Sequence, residues 1–336
     1  PHSDAEVELK LQVPNTGNIY LKLIYRLKKE MPLLEQGYEL GFDEMKLANE
    51  DDRNRQAVKW LEREKVIGTI AVKENDKQIV LQAKDFTYVL DKRTVLFENM
   101  QFAGRSYINH PMELNIWRAP TDNDMYIKLE WKKAHYDAAY TRAYRIEVLQ
   151  NKHGVLIMEH LAVVADTVQK ILDVEMTWKI NEDGKIEAVI EAVKDKEFPD
   201  LPRFGIRMFL NKKIDEITYF GMGPQESYRD KHQASCHGLF RSKVAQMHED
   251  YIRPQENGSH YDCDYVELTN GQCGIAAVSK NLFSFNASVY TQEELERVSH
   301  NYELKESDST VFCMDYAMNG IGSNSCGPEL DQRYQL

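Results

Sequence analysis

Residues 154–193 read GVLIMEHLAVVADTVQKILDVEMTWKINEDGKIEAVIEAV. Three runs rich in long apolar and β-branched residues, 155–162, 171–180 and 186–193, read as long strands. Asp183-Gly184 between the last two is a hairpin signal, because both central residues of a two-residue turn take positive φ. Upstream, the shorter runs 68–72, 78–81, 86–90 and 94–97 are split by Asn75-Asp76 and Asp91-Lys92, which predicts an antiparallel meander. Two helices interrupt the strands. One spans 129–144, with Trp131, Ala134, His135 and Ala138 on one face, and a shorter one opens on the capping box Thr291-Gln292-Glu293-Glu294. Helices do not alternate regularly with strands, so the fold class is all-β rather than α/β.

Toward the start, Val7, Leu9, Leu11 and Val13 alternate with polar residues until Pro14-Asn15-Thr16-Gly17 breaks the run; 19–27 and 38–42 then read as further strands. Three strands over fifty residues are too few to close a sandwich and hide its edges. The charged stretch 43–66 suits a boundary with little core of its own. The expected organisation is therefore a partial smaller β-sandwich over 1–60 and a large antiparallel one over 61–336.

The bulk numbers agree with a folded globular chain. Its 336 residues exceed one usual domain, and 42% hydrophobic with 10% aromatic residues supply a sizeable core. A formal charge of -12 repels polyanions on average, so nucleic acid is not an expected partner. No window approaches a membrane helix, and the first residues lack a signal-peptide pattern. A cytoplasmic location is expected, with a signal removed from the mature chain as the alternative. The five cysteines, Cys236, Cys263, Cys273, Cys313 and Cys326, are odd in number and lack zinc-site spacing. Reduced thiols and no structural metal are expected.

Four polar loops could carry chemistry. In Trp117-Arg118-Ala119-Pro120-Thr121-Asp122-Asn123-Asp124, a Trp to stack on a sugar ring stands beside Arg, Asp and Asn to bond its hydroxyls. A structural alternative has Arg118 pairing with Asp124 while Asp122 and Asn123 tie off a turn. Glu226 and Glu256 sit in two similar turns, Pro224-Gln225-Glu226 and Pro254-Gln255-Glu256. They could form a glycosidase carboxylate pair, or accept backbone N–H groups as structural ties. His260 with Glu256 could form the acid and base of a sugar epimerase. Asn324, Ser325 and Cys326 would occupy the tip of a Gly-rich loop.

At these loops the sequence resembles the β-galactosidases of glycoside hydrolase family 2, in their small-chain or fifth domain. The resembling stretches are IWRAPTDND (116–124), YFGMGPQESYRDK (219–231), YIRPQENG (251–258) and NGIGSNSCGP (319–328). The resemblance runs from about residue 70 onward and implies a supersandwich similar to galactose mutarotase. Residues 1 to about 60 resemble the end of the family's immunoglobulin-like fourth domain. It implies a retaining enzyme for terminal β-galactosides whose two catalytic glutamates lie on a (β/α)8 barrel, so no catalytic residue is expected in this chain. Implied partners are a galactoside and the enzyme's own N-terminal and barrel domains, or a separate large subunit, in a homo-oligomer. Mg or Na, where used, would belong to the barrel. The resemblance also implies that the loop at 320–328 reaches the active-site rim, with Asn324, Ser325, Cys326, Asp122, Asn123 and Asp124 nearest to substrate. Cys326 stands where well-known members carry a tryptophan, and a thiol offers no stacking platform. Its contribution is expected to be positional. A longer loop that follows Asp124 in those members is also missing here. A non-catalytic sugar-binding module and a mutarotase-like epimerase are the alternative functions.

Overall fold

A computed structural model describes residues 4–14, 18–47, 60, 69–152, 154–322 and 327–336. The chain divides into two compact units, residues 1–63 and 64–336. In the first, β1 (Tyr20–Arg26) pairs antiparallel with β2 (Glu39–Lys46). The alternating run at Val7–Val13 forms no strand, and its four apolar side chains remain 46–76% exposed. Alternation describes a strand only where a neighbouring strand takes its backbone groups, and among the described residues the backbone bond shown for this run lies within it, from Leu11 N to the Leu9 carbonyl at 3.1 Å.

The second unit is an all-β supersandwich of three antiparallel sheets. The predicted meander appears as β3 (Ala71–Glu74), β4 (Gln78–Gln82), β5 (Phe86–Asp91), β6 (Leu96–Phe102) and the short β7 (Arg105–Ser106), paired in that order. After β8 (Ile108–Asn115) and helix α1 (Ile127–Lys133), four long strands form the next sheet. They are β9 (Tyr140–Asn151), β10 (Gly154–Ala165), β11 (Val168–Ile180) and β12 (Ile186–Lys194), again neighbours in sequence order. The remaining strands are β13 (Arg203–Asn211), β14 (Glu216–Gly223), β15 (Cys236–Lys243), β16 (Ser259–Thr269), β17 (Gly274–Ser288) and, after helix α2 (Gln292–Arg297), β18 (Ser309–Met318). With β8 they form a seven-stranded sheet ordered β15-β14-β16-β17-β18-β13-β8. The far-separated β8 and β18 thereby come to flank β13.

A large apolar core runs through this unit, with a small separate cluster of Tyr228, Met318 and Ile321 beside the loops. Phe97 meets Trp178 edge-on at 4.9 Å between ring centroids, and the Trp178 indole donates to the Val95 carbonyl at 2.9 Å. Both contacts join the four-stranded sheet to the meander.

Two local expectations change. The helix predicted over 129–144 ends at Lys133. His135 adopts a left-handed conformation (φ 57°), and Tyr140 onward joins β9. Tertiary contacts outweigh the helical pattern: Trp131 Nε1 donates to the Asp200 carbonyl at 2.9 Å and Tyr136 Oη to the Pro199 carbonyl at 2.7 Å. At Asp183-Gly184 the hairpin exists, but Ile180 pairs with Ile186 across a longer turn in which only Gly184 takes positive φ (82°). Of the capping box expected at Thr291 only the N-cap half forms, Glu294 N donating to Thr291 Oγ1 at 3.1 Å, while the Glu294 carboxylate turns to Arg297 and Lys305 N.

Candidate functional site

The quoted loops converge at one end of the seven-stranded sheet. β8 leads into 116–124, β14 leads into 224–231, the loop at 251–258 precedes β16, and β18 leads into 319–322. They surround a cavity of about 370 Å³ whose lining includes Thr121, Asp122, Asn123, Gln255, Ile321 and Gly322. Glu226, Lys231 and Tyr251 complete one side of it.

Buried ion pairs hold these loops from below. Arg118, with no exposed surface, grips Asp124 through Nε (3.2 Å) and Nη2 (2.7 Å). Its remaining reach goes to the carbonyls of Asn319 (2.6 Å) and Gly320 (3.0 Å). One planar fork thus ties the first motif to the last, a geometry that lysine cannot reproduce. Asp124 Oδ2 also accepts from Thr121 N at 2.9 Å and from Thr121 Oγ1 at 3.0 Å. Asn123 donates to the Ile321 carbonyl at 2.9 Å, and Asp122 exchanges bonds with Gln255 (3.0 and 3.2 Å). Asp230 accepts from Ile321 N at 3.1 Å and Gly322 N at 2.8 Å, fixing the start of the Gly-rich loop.

A second set of pairs lies beside the first. Arg203 Nη1 donates to Glu256 Oε1 at 2.8 Å, and its other edge grips Asp315 at 2.6 and 3.1 Å. Burial works against the Arg203 charge, but Asp315 and Glu256 outweigh it and keep the guanidinium cationic. Glu256 Oε2 accepts from Ala119 N at 3.1 Å. Burial pushes the Glu256 carboxyl up, against the pull of Arg203 and Ala119.

Glu226 accepts four bonds: Lys231 Nζ (2.6 Å) and Tyr251 Oη (2.6 Å) on Oε1, Tyr228 Oη (3.1 Å) and Gly258 N (3.0 Å) on Oε2. Gly258 is held at φ +71°, with the Met247 carbonyl 2.5 Å from where a Cβ would stand, so only glycine fits there. Burial alone would raise the Glu226 pKa. The donors from Lys231, Tyr251 and Gly258 outweigh it, and the carboxyl lies below its usual range. A lowered pKa stabilises the fold at pH values above the ordinary carboxylate value, and that contribution fades as pH falls through the folded value. Glu226→Gln is therefore expected to cost about 1–3 kcal/mol at neutral pH, with the difference from the parent shrinking in acid. Urea unfolding at pH 7 and pH 4 checks both points; a difference that does not shrink in acid would refute the assignment.

This placement bears on the alternatives held open for Trp117, His260, Glu226 and Glu256. Trp117 is 3% exposed, edge-on to Trp131 at 6.2 Å, with Lys132 Nζ 4.9 Å from its ring centre. It is a core residue that a sugar cannot reach. His260 is 2% exposed between Tyr219 and Phe285 (ring centroids 4.6 and 5.2 Å), its Nδ1 3.0 Å from the Met222 carbonyl. Burial lowers its pKa to about 4, so it is neutral and no general acid at ordinary pH. Glu226 and Glu256 both border the cavity, but the four bonds to Glu226 and the two to Glu256 match the structural-tie reading rather than a free acid and nucleophile. Asp122 and Asn123 do line the cavity, whereas Asp124 is wholly buried beneath it. Asn324, Ser325 and Cys326 lie outside the described residues. Sequence reading missed Arg203 and Asp315, and quoted Asn319 and Gln255 without giving them a role. Among the described residues no group of three or more His, Cys, Asp or Glu side chains could hold a metal ion, and no helix is long and apolar enough to cross a membrane.

Comparison with known proteins bears on the same loops. The chain is similar to a β-galactosidase of Actinobacillus pleuropneumoniae, 43% identical over 338 residues that cover all of this chain and 32% of that protein. A β-galactosidase of Staphylococcus xylosus is 33% identical over 339 residues, covering all of this chain and 33% of that protein. The chain thus spans about a third of the length of these relatives. Among solved structures, a galactose mutarotase-like protein from Lactobacillus casei ATCC 334 matches 80% of this chain and 93% of its own, at 11% identity and a TM-score of 0.35. The family described as "Beta galactosidase small chain" matches residues 82–336, a span that takes in every loop around the cavity, and the chain belongs to that family.

Proposed function

We propose that this chain is a non-catalytic part of a retaining β-galactosidase and that its loops form one wall of the galactoside pocket. The observation that carries this reading is the cavity itself. The described parts of the family-resembling loops meet there, and each is tied down by a buried charge or a backbone bond. Asn123, Asp122 and Gln255 offer donors and acceptors at its mouth, as a polyhydroxylated ligand requires. The acid and nucleophile would come from a barrel elsewhere in the same protein or in a large subunit, as would any Mg or Na. The assembled enzyme would be a cytoplasmic homo-oligomer.

Two measurements test the proposal. The isolated chain should release no aryl group from an aryl β-galactoside. In the full-length protein, Asn123→Ala frees the Ile321 carbonyl and loosens the rim, so KM should rise about three- to tenfold with kcat little changed, the worth of one hydrogen bond. Turnover by the isolated chain, or a KM unmoved by Asn123→Ala, would count against it.

A further inference from the structure

A second cleft, of about 270 Å³, lies on the outer face of the four-stranded sheet. Tyr140, Arg142 and Tyr144 project into it from β9 at the two-residue spacing that puts side chains on one face. Arg142 pairs across the sheet with Ala162, and Tyr140 with Val164. Both partners are small and buried, so three large side chains overlook a shallow floor. The register then slips: Leu161 pairs with Ala143 but His160 with Arg145, leaving Tyr144 as the extra residue of a β-bulge. Bulges of this kind re-aim a side chain. Tyr144 is 56% and Tyr140 45% exposed. The turn at 165–168 forms the opposite wall.

The charges are unevenly committed. Lys170 and His160 both bind Asp173, each at 2.7 Å. Arg142 has no ion-pair partner among the described residues; its guanidinium only approaches the Tyr144 ring, 5.8 Å from the centroid. An uncommitted fork of five donors between two exposed phenol rings matches one kind of small molecule, a ring with an apolar C–H face and a rim of oxygen acceptors. We propose that this cleft is a second saccharide-binding site, in which a disaccharide lies along β9 with one sugar ring against Tyr140 and the other against Tyr144 while Arg142 donates to their ring or hydroxyl oxygens. Asp166 and the carbonyls of the 165–168 turn accept from the hydroxyls. The site is independent of the motif-lined cavity, which lies on the seven-stranded sheet.

Amide hydrogen exchange in the full-length protein, with maltose and with cellobiose, neither a β-galactoside, as probes, tests this. Saccharide should slow exchange in segments 140–145 and 164–170. Tyr144→Ala and Arg142→Ala should each weaken that effect about tenfold, Tyr144→Phe should preserve it, and any protection around the other cavity should survive all three. These side chains are exposed, so the melting temperature should not move. Absence of protection at 164–170, or protection undiminished in both alanine variants, overturns the proposal. So does sugar-independent protection of β9 that grows with protein concentration, which would mark strand pairing between two copies.

Discussion

Arg203→Met should be among the most damaging single substitutions in this chain, lowering stability by about 3–5 kcal/mol. Arg203 has no exposed surface and is, among the described residues, the only guanidinium paired with Glu256 and Asp315, which are themselves 3% and 0% exposed. Removing it strands two carboxylates in the interior. Each must then take up a proton or draw in water, and either costs several kcal/mol. The sites are far apart in sequence but joined in space. Arg203 opens β13, Asp315 lies on β18, and Glu256 sits in the loop that also receives Ala119 N. The damage should therefore reach the cavity: the 251–258 loop loses its anchor, and KM for a galactoside should rise in the full-length protein. Urea denaturation gives the stability change. A companion variant with Arg203→Met, Asp315→Asn and Glu256→Gln should recover most of the loss, because no buried charge is then left unpaired. A loss below about 1 kcal/mol for the single variant would show that water already satisfies the two carboxylates, and no recovery in the triple would show that the loss does not come from stranded charge.

The contrast between what the sequence reveals and what it hides follows from distance along the chain. The meander and the three long strands were legible because neighbouring strands in those sheets are also neighbours in sequence, and turn residues separate them. The seven-stranded sheet was not, since β8 reaches β13 only after a whole intervening sheet. The same holds for the site. Asp122, Asn123, Glu226 and Glu256 could be singled out because they stand in dense polar loops. Arg118 with Asp124 was foreseeable as a pair six residues apart. Arg203 shares its strand with a second arginine, Arg207, Asp315 is the one charge of its own, and nothing in their spacing of 112 residues marks them as partners. Trp117 misled because an indole beside polar residues satisfies a sugar site and a core edge equally well by composition. Only burial separates the two.

Glu159→Gln is expected to stabilise the protein, by about 3 kcal/mol at pH 7. Glu159 lies in the middle of β10 with its side chain directed inward, opposite Ile146 on β9 and Met176 on β11. Along the strand it is flanked on the same face by Ile157 and Leu161, both fully buried. It is 2% exposed and neither carboxylate oxygen has a partner among the described residues. Burial raises its pKa from 4.5 to about 10, so the folded protein keeps the carboxyl protonated while the unfolded chain ionises it. With the raised value in the folded state, stability is unaffected below the unfolded pKa and falls as pH rises between the two values, by about 1.4 kcal/mol per unit. From 4.5 to neutrality is about 2.5 units, hence the figure of about 3 kcal/mol. Glutamine keeps the shape and the unmet hydrogen-bonding groups but has no proton to hold. The gain should therefore be near zero at about pH 4, grow through neutrality and level off only above the folded pKa. Urea midpoints of parent and variant across that range decide the matter. A constant difference would mean that Glu159 keeps an ordinary pKa in the fold and has found a partner, and a variant less stable than the parent at pH 7 would mean that the carboxylate itself is stabilising.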